Sequence, residues 1–225
     1  MADDASGDLV LYSYWRSSSA FRVRIALNLK GIGYRQKFIH LVREGGQQHQ
    51  AAYREVNPLG LVPALEHGGH TIVQSLAICE YLEEVFPRAP LLPEDPASRA
   101  RVRSIAQSIT SEIQPLNNLG VMNYLRSELQ AEDSAVNQWY AHWIARGFAA
   151  VEAWLSQVPT GSFCHGERPT LADCFLVPQV YNAERFGCDL GPYRNIRRIA
   201  DRCRSLPAFQ QAAPENQPDA PESGE

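Results

Sequence analysis

Lysine is almost missing from this chain of 225 residues: only Lys30 and Lys37 occur, so 19 of the 21 basic residues are arginine. A cationic contact to a ligand is therefore expected from a guanidinium fork, a shape suited to carboxylates. Cysteine is scarce and odd in number, five in all, with no C-x-x-C pair and no histidine at zinc-finger spacing. That argues against a disulfide framework and against any structural metal. No apolar run approaches the roughly 18 residues of a membrane helix. The opening MADDASGDLV is acidic and lacks the zones of a secretory signal. Basic charge is not in excess either: the net charge is −4 and the pI about 5.9, which excludes a general nucleic-acid footprint. With no G-x-G-x-x-G and no phosphate-loop lysine, the nucleotide-binding motifs are absent too. What is left is a globular chain, 44% hydrophobic and 20% charged, with the cytoplasm as its expected compartment. At roughly 150 residues per domain, length does not choose between one large domain and two small ones.

Patterning chooses. Residues 8–14 read as a buried strand, 21–30 as an apolar helix stopped by Gly31 and Gly33, and 34–40 as a second strand. This β-α-β run implies parallel strands joined by a right-handed crossover. A Gly/Gln loop (Gly45 to Gln48), a short helix over 51–56 and the Asn57-Pro58-Leu59-Gly60 turn follow. Segments 61–66 and 70–73 flank Gly68-Gly69 as a hairpin, and 75–86 is a helix that Ser75 could cap. The order β-α-β-α-β-β-α predicts a thioredoxin-like α/β domain over 1–86. Four prolines within 87–96 read as an exposed linker. Residues 97–211 read as an all-helical domain. It has a break near Pro115, a long helix over 133–158 carrying Trp139, Trp143, Phe148, Val151 and Leu155, and a capping box at Thr170–Asp173. Residues 212–225, with three prolines, read as a flexible tail.

Three places could carry chemistry. Arg16-Ser17-Ser18-Ser19 lies between strand 1 and helix 1, where open α/β sheets bind ligands and a helix N-terminus offers free N–H groups. These hydroxyls suit either an N-cap or an anion such as a thiolate. Val62-Pro63 puts a residue without an N–H in an apolar strand, which marks an edge or a cis bond. Gln74-Ser75 opens the third helix, where a carboxylate or a plain cap would both fit. Other conspicuous residues read as structural. His142, between two tryptophans, is a packing or surface side chain, and Tyr12 and Tyr14 share one side of strand 1.

All three places can border the same end of one small sheet, and at that point the chain closely resembles the zeta class of glutathione transferases, whose best-known activity is maleylacetoacetate isomerase. The resemblance runs from about Leu9 to Pro218. Its most specific stretch is Tyr14-Trp15-Arg16-Ser17-Ser18-Ser19-Ala20-Phe21-Arg22-Val23-Arg24-Ile25-Ala26-Leu27, which is similar to the class signature S-S-C-x-W-R-V-R-I-A-L. Gly45-Gly46-Gln47-Gln48, Val62-Pro63, Gln74-Ser75 and Leu176-Val177-Pro178-Gln179-Val180 also match. Ser19 stands where the signature has cysteine, and Phe21 where it has tryptophan.

The resemblance implies a glutathione transferase fold, glutathione as cofactor, no metal, and a homodimer that binds neither nucleic acid nor membrane. It implies that Ser17 hydrogen-bonds the glutathione sulfur, with Ser18 and Ser19 beside it. It assigns the glutathione peptide to Val62 beside a cis-Pro63, and the γ-glutamyl carboxylate to Gln74 and Ser75. Gln48, Gln114 and Asn118 would complete that site, and Arg185, with Arg16 second, would face a substrate carboxylate. The implied reaction is conversion of maleylacetoacetate to fumarylacetoacetate, a step of tyrosine and phenylalanine breakdown. It proceeds by reversible thiolate addition to the double bond. A cysteine-type thiol has a pKa near 8.5, and holding it near 6.5 takes roughly 2.7 kcal/mol of differential stabilisation. Serine acts there as a donor to sulfur; as a nucleophile it lacks a matching His–Asp pair. Maleylpyruvate isomerisation, attack on α-halo acids and non-catalytic glutathione binding would use the same residues.

Overall fold

A computed structural model describes residues 8–221 of the chain. They form two compact units, one built from the residues up to Leu91 together with those from Leu206 onward, the other from Leu92–Ser205.

The first unit has the expected thioredoxin-like order. Strand β1 (Val10–Ser13), helix α1 (Ser18–Lys30) and strand β2 (Arg35–Phe38) make the βαβ unit, with β1 and β2 parallel and Ser13 opposite Phe38. Helix α2 (Ala51–Val56) leads to the hairpin of β3 (Ala64–His67) and β4 (His70–Val73), and helix α3 (Ser75–Val85) follows. The sheet order is β2-β1-β3-β4, with β3 antiparallel to both neighbours. All four residues of β1 are buried, as its continuous apolar run requires of a central strand. Helix α1 stops where Gly31 takes a left-handed conformation at φ 66°.

Two expectations about boundaries need correction. The stretch 87–96 is not an exposed linker throughout. Leu91 and Leu92 are each only 4% exposed, and the Leu91 N–H donates to the Glu83 carboxylate at 3.0 Å. Nor do residues 206–221 divide between a helical domain and a free tail. Helix α9 (Pro207–Ala212) packs on α1, with the Asn28 amide donating to the Ala208 carbonyl at 3.0 Å. Beyond it the Gln217 side chain donates to the Gln211 and Ala213 carbonyls and accepts from Gln36. The prolines end local helices there but leave carbonyls and side chains free to bond to α1 and β2. Residues 222–225, the end of the expected tail, lie outside the described residues.

The second unit is helical throughout its described residues. Helix α4 (Pro96–Ser108) starts on the Asp95 carboxylate, which accepts the Ser98 N–H at 2.8 Å. It runs through a wide turn at Ile109–Ile113 and a tight one at Gln114–Asn117, where Pro115 lacks the N–H that a regular helix needs. Then come α5 (Leu119–Ser127), α6 (Asp133–Leu155), α7 (Leu171–Arg185) and α8 (Arg194–Arg204). The buried stripe of α6 is Val136, Tyr140, Ile144, Phe148, Val151 and Leu155. The predicted Phe148, Val151 and Leu155 are on it, whereas Trp139 and Trp143 flank its first half and are half-buried. The sequence places no helix among the described residues that is long and apolar enough to cross a membrane.

Helix α7 opens with the predicted capping box. The fully buried Asp173 carboxylate accepts from the Thr170 N–H at 2.7 Å, the Thr170 hydroxyl at 2.9 Å and the Cys164 N–H at 2.9 Å. Burial pushes this carboxyl above its usual range, and the same N–H donors oppose that. Replacing it by alanine leaves donors stranded in a dry interior, each costing about 1–3 kcal/mol. Asp173→Ala is therefore expected to lower unfolding stability by about 2–4 kcal/mol, and Asp173→Asn, which keeps one acceptor oxygen, by less. Urea denaturation read by far-ultraviolet circular dichroism checks both.

Candidate functional site

Register alone gathers the candidate residues of the first unit at one edge of its sheet. Tyr12 lies opposite Ala64, and Ala64 opposite Val73, so the end of β1, the start of β3 and the end of β4 coincide. The parallel partner β2 ends at Phe38 beside Ser13. The segments 14–19, 39–48, 62–63 and 74–75 therefore all leave or enter the sheet at this edge.

The Ser17 loop is short and fixed at each step. The Ser17 N–H donates to the Tyr14 carbonyl at 2.9 Å, and the Ser17 hydroxyl oxygen accepts the Ala20 N–H at 3.2 Å. Ser17 is thus the N-cap of α1, at φ −69° and ψ 116°. Capping uses a lone pair of its oxygen and leaves the hydroxyl proton available. Ser18 and Ser19 occupy the first helical turn, where backbone N–H groups have no intrahelical acceptor. Their hydroxyls make no side-chain hydrogen bond among the described residues. Ser17, Ser18 and Ser19 thus stand in succession at a helix N-terminus that favours negative charge. Beside them the Arg16 guanidinium lies over the Trp15 ring, 5.2 Å from its centroid.

Val62 and Pro63 are joined by a cis peptide bond and precede the β3 ladder, which begins at Ala64. Val62 packs with Tyr12, Tyr14 and Tyr53 beneath the edge. In the Gly/Gln loop Gln48 is 6% exposed, donating from Nε2 to the Leu41 carbonyl at 3.2 Å. Its Oε1 accepts no hydrogen bond from the described residues. Gly46 makes this placement feasible. It has φ 96°, and a Cβ there would lie 2.5 Å from the Gln48 amide nitrogen.

At α3 the expected serine cap is not formed. Gln74 holds the cap position at φ 71°, a left-handed conformation rare outside glycine, and contributes no side-chain cap bond. Ser75 is instead the first helical residue, and its hydroxyl accepts from the buried Arg22 guanidinium at 3.3 Å. The first N–H groups of α3 are left open beside the exposed Gln74 side chain.

The remaining candidates belong to the second unit. Gln114 begins the tight turn that contains Pro115, and Asn118 caps α5 by accepting the Val121 N–H at 3.0 Å. Arg185 is the last residue of α7. Its guanidinium lies 4.5 Å from the Phe186 ring centroid and donates to the Tyr140 hydroxyl. Tyr140 stacks on Phe186 at 3.7 Å, and its carbonyl accepts from Asn117 at 3.3 Å. The 114–118 turn and the end of α7 therefore share Tyr140 as a common support.

Sequence reasoning passed over three supporting residues: Arg22, Arg24 and Asp219. Two arginines inside an otherwise apolar helix were the available signal, since a buried guanidinium needs several acceptors. Arg24 finds them in the Ala212 carbonyl at 3.0 Å, the Ser13 hydroxyl at 3.1 Å, the Trp15 carbonyl at 3.0 Å and, more loosely, the Tyr14 carbonyl at 3.4 Å. Tyr12 hydrogen-bonds Glu66 and Lys37, and the ring of His142 packs on Trp143.

The glutathione S-transferase N-terminal domain model matches residues 7–84, and the C-terminal domain model matches residues 137–205. A probable maleylacetoacetate isomerase of Vibrio cholerae is 50% identical over 94% of this chain and 98% of its own length. The chain belongs to the zeta-class glutathione transferase and maleylacetoacetate isomerase family. Among solved structures, the holo form of a bacterial zeta-class maleyl pyruvate isomerase superposes with a TM-score of 0.91 at 46% identity, covering 94% of this chain and all of that one. A maleylacetoacetate isomerase from Anaeromyxobacter dehalogenans superposes at 0.85 and 46% identity, covering 96% and 94%. That enzyme holds dicarboxyethyl glutathione and citrate in its active site.

The zeta-class signature cysteine is replaced here by Ser19, and the thiols that this chain does have are placed away from solvent. Cys79, Cys164, Cys174 and Cys203 are buried, and burial pushes the Cys79, Cys164 and Cys203 thiols up; only Cys188 is partly open. A thiolate-directed reagent should thus find little to attack. Brief treatment of the native protein with N-ethylmaleimide is expected to give at most one fast adduct, on Cys188, and all five only after unfolding. Intact-mass spectrometry and peptide mapping count them.

Proposed function

We propose that this protein is a glutathione-dependent cis–trans isomerase that converts maleylacetoacetate to fumarylacetoacetate. The observation that carries the reading is full-length identity near 50% to maleylacetoacetate isomerases, together with an intact donor set at the sheet edge. The residues fit a glutathione molecule. Gln48 holds a buried amide oxygen without a partner, the start of α3 offers N–H groups beside Gln74 and Ser75, and Val62 lies outside the ladder. When bound, glutathione supplies a thiolate that adds to the conjugated double bond, turns it into a single bond that can rotate, and leaves again.

The chain's own residues make that thiolate available. The Ser17 hydroxyl donates to sulfur while its oxygen keeps the α1 cap, and the N–H groups of Ser18 and Ser19 add positive potential. Ser19 can donate a hydrogen bond where the family cysteine would sit, yet it cannot form a mixed disulfide. Gln74 and Ser75 would take the γ-glutamyl carboxylate at the α3 N-terminus, with Arg22 polarising the Ser75 hydroxyl from behind. Gln48, Gln114 and Asn118 would supply the remaining amide contacts. Arg185, braced on Phe186 and Tyr140, would face a substrate carboxylate, with Arg16 as a second cation. Addition and departure of the thiolate need no net proton transfer, so no histidine base is required. In this reading the protein is a cytoplasmic homodimer acting in tyrosine and phenylalanine breakdown. A second substrate, maleylpyruvate, is favoured by the 0.91 superposition on a maleyl pyruvate isomerase.

Purified protein should consume maleylacetoacetate, maleylpyruvate or both only when glutathione is present, followed by loss of the cis isomer's absorbance. No glutathione-dependent loss from either acid would leave a binding protein. Ser17→Ala is expected to lower kcat roughly 10- to 100-fold, the worth of one hydrogen bond to a charged sulfur, while glutathione KM changes less than about three-fold. Unchanged turnover would move the sulfur contact to Ser18 or Ser19. Arg185→Ala should raise KM for the oxo acid about ten-fold or more and spare a neutral aromatic electrophile; the ratio of the two effects reads the carboxylate contact.

A further inference from the structure

Only three residues, Tyr14, Trp15 and Arg16, separate the end of β1 from the Ser17 cap, and the backbone of one of them, Trp15, is held at both its N–H and its carbonyl. The Trp15 carbonyl accepts from Arg24 at 3.0 Å, and the Trp15 N–H donates to the Asp219 carboxylate at 2.9 Å. Asp219 lies 204 residues further along the chain, on a segment that is itself anchored. The Gln217 amide reaches the Gln211 and Ala213 carbonyls at 2.9 Å, and Arg24 holds the Ala212 carbonyl. The same guanidinium thus ties down the loop and the strap that crosses it.

We propose that Asp219 is a positioning residue for the thiol site: by accepting the Trp15 N–H, the C-terminal strap holds the loop that aims the Ser17 hydroxyl and the first N–H groups of α1. The inference rests on the role given above to Ser17, but the clamp itself can be read without it. A loop of three residues leaving a sheet has few internal hydrogen bonds, so an external acceptor two residues before the cap decides its order. Four charged or titratable groups bear on the clamp. Arg24 from α1 and His40, two residues beyond β2, face Asp219 and favour its charged form, while Arg43 and Arg16 face His40. Burial acts on Asp219 in the other direction and raises its carboxyl above the usual range.

Asp219→Ala and Asp219→Asn separate position from charge. Alanine removes the acceptor and the charge, whereas asparagine removes the charge and keeps an oxygen for the Trp15 N–H. Amide hydrogen exchange at Trp15, read by NMR on the whole chain, is expected to quicken about ten-fold or more in Asp219→Ala and to stay within about three-fold of wild type in Asp219→Asn. In glutathione-loaded protein, thiolate absorbance against pH should show the bound thiol's pKa rising by about one in the alanine variant and unchanged or lower in the asparagine variant. Loss of a nearby negative charge alone would lower that pKa in both variants, because the thiolate would lose a repelling neighbour. Equal lowering in both, or unchanged Trp15 exchange in Asp219→Ala, overturns the proposal. If Ser17→Ala leaves the bound thiol untouched, it is the sulfur role of Ser17 that fails, and Trp15 exchange still decides the clamp.

Discussion

The buried guanidinium of Arg24 is the contact on which the first unit's working edge depends. It is fully excluded from solvent, and burial lowers its pKa to about 10, so it remains charged at neutral pH. Taking such a cation out of water costs several kcal/mol unless its donors are used. Its partners are three carbonyls and a hydroxyl, drawn from the end of β1, the loop beyond it and the end of α9. The Trp15 carbonyl is one that a strand leaves unpaired where it exits a sheet, and the Ala212 carbonyl is one that a helix leaves at its end. The cation's cost and the need of these two carbonyls for a donor therefore offset one another.

That exchange explains which parts of the fold were legible in the sequence. β1, α1, the 68–69 hairpin and the capping box of α7 are set by neighbours within a few residues, and their periodicity or cap chemistry reports them directly. The C-terminal segment was misjudged because its local composition, alanine with spaced prolines, describes only what it cannot do alone. Its stability comes from Asn28, Arg24 and Gln36, each more than 170 residues away. The start of α3 failed for a related reason. Serine is the better intrinsic cap, but Ser75 is engaged by Arg22 from another helix, and Gln74 takes the left-handed backbone instead. On α6 the stripe was legible from Phe148 onward, while in its first half burial follows Val136, Tyr140 and Ile144 and leaves the two indoles at the margin.

The candidate site was legible to a different depth. The positions that border the sheet edge could be picked out, because topology puts strand ends together whatever the side chains are. What fixes them there could not. Gln48 sits where it does because Gly46 lacks a Cβ, and Ser17 is aimed through Trp15 by two residues, one far along the chain. The resemblance to the zeta class supplied roles, but no motif in it describes these supports.

The division between donors and supports also bears on the missing cysteine. Most of what the edge offers an anion is backbone: the N–H groups that open α1 and α3, with hydroxyls and amides filling between them. Potential of this kind arises from peptide dipoles held in line, and it persists when a side chain in the first turn is exchanged for another donor of similar size. Ser19 in place of a thiol alters redox chemistry at that position while leaving the dipoles in place. Substitution at Arg24 or in the strap would do the reverse, keeping every donor in the sequence and loosening the frame that points them.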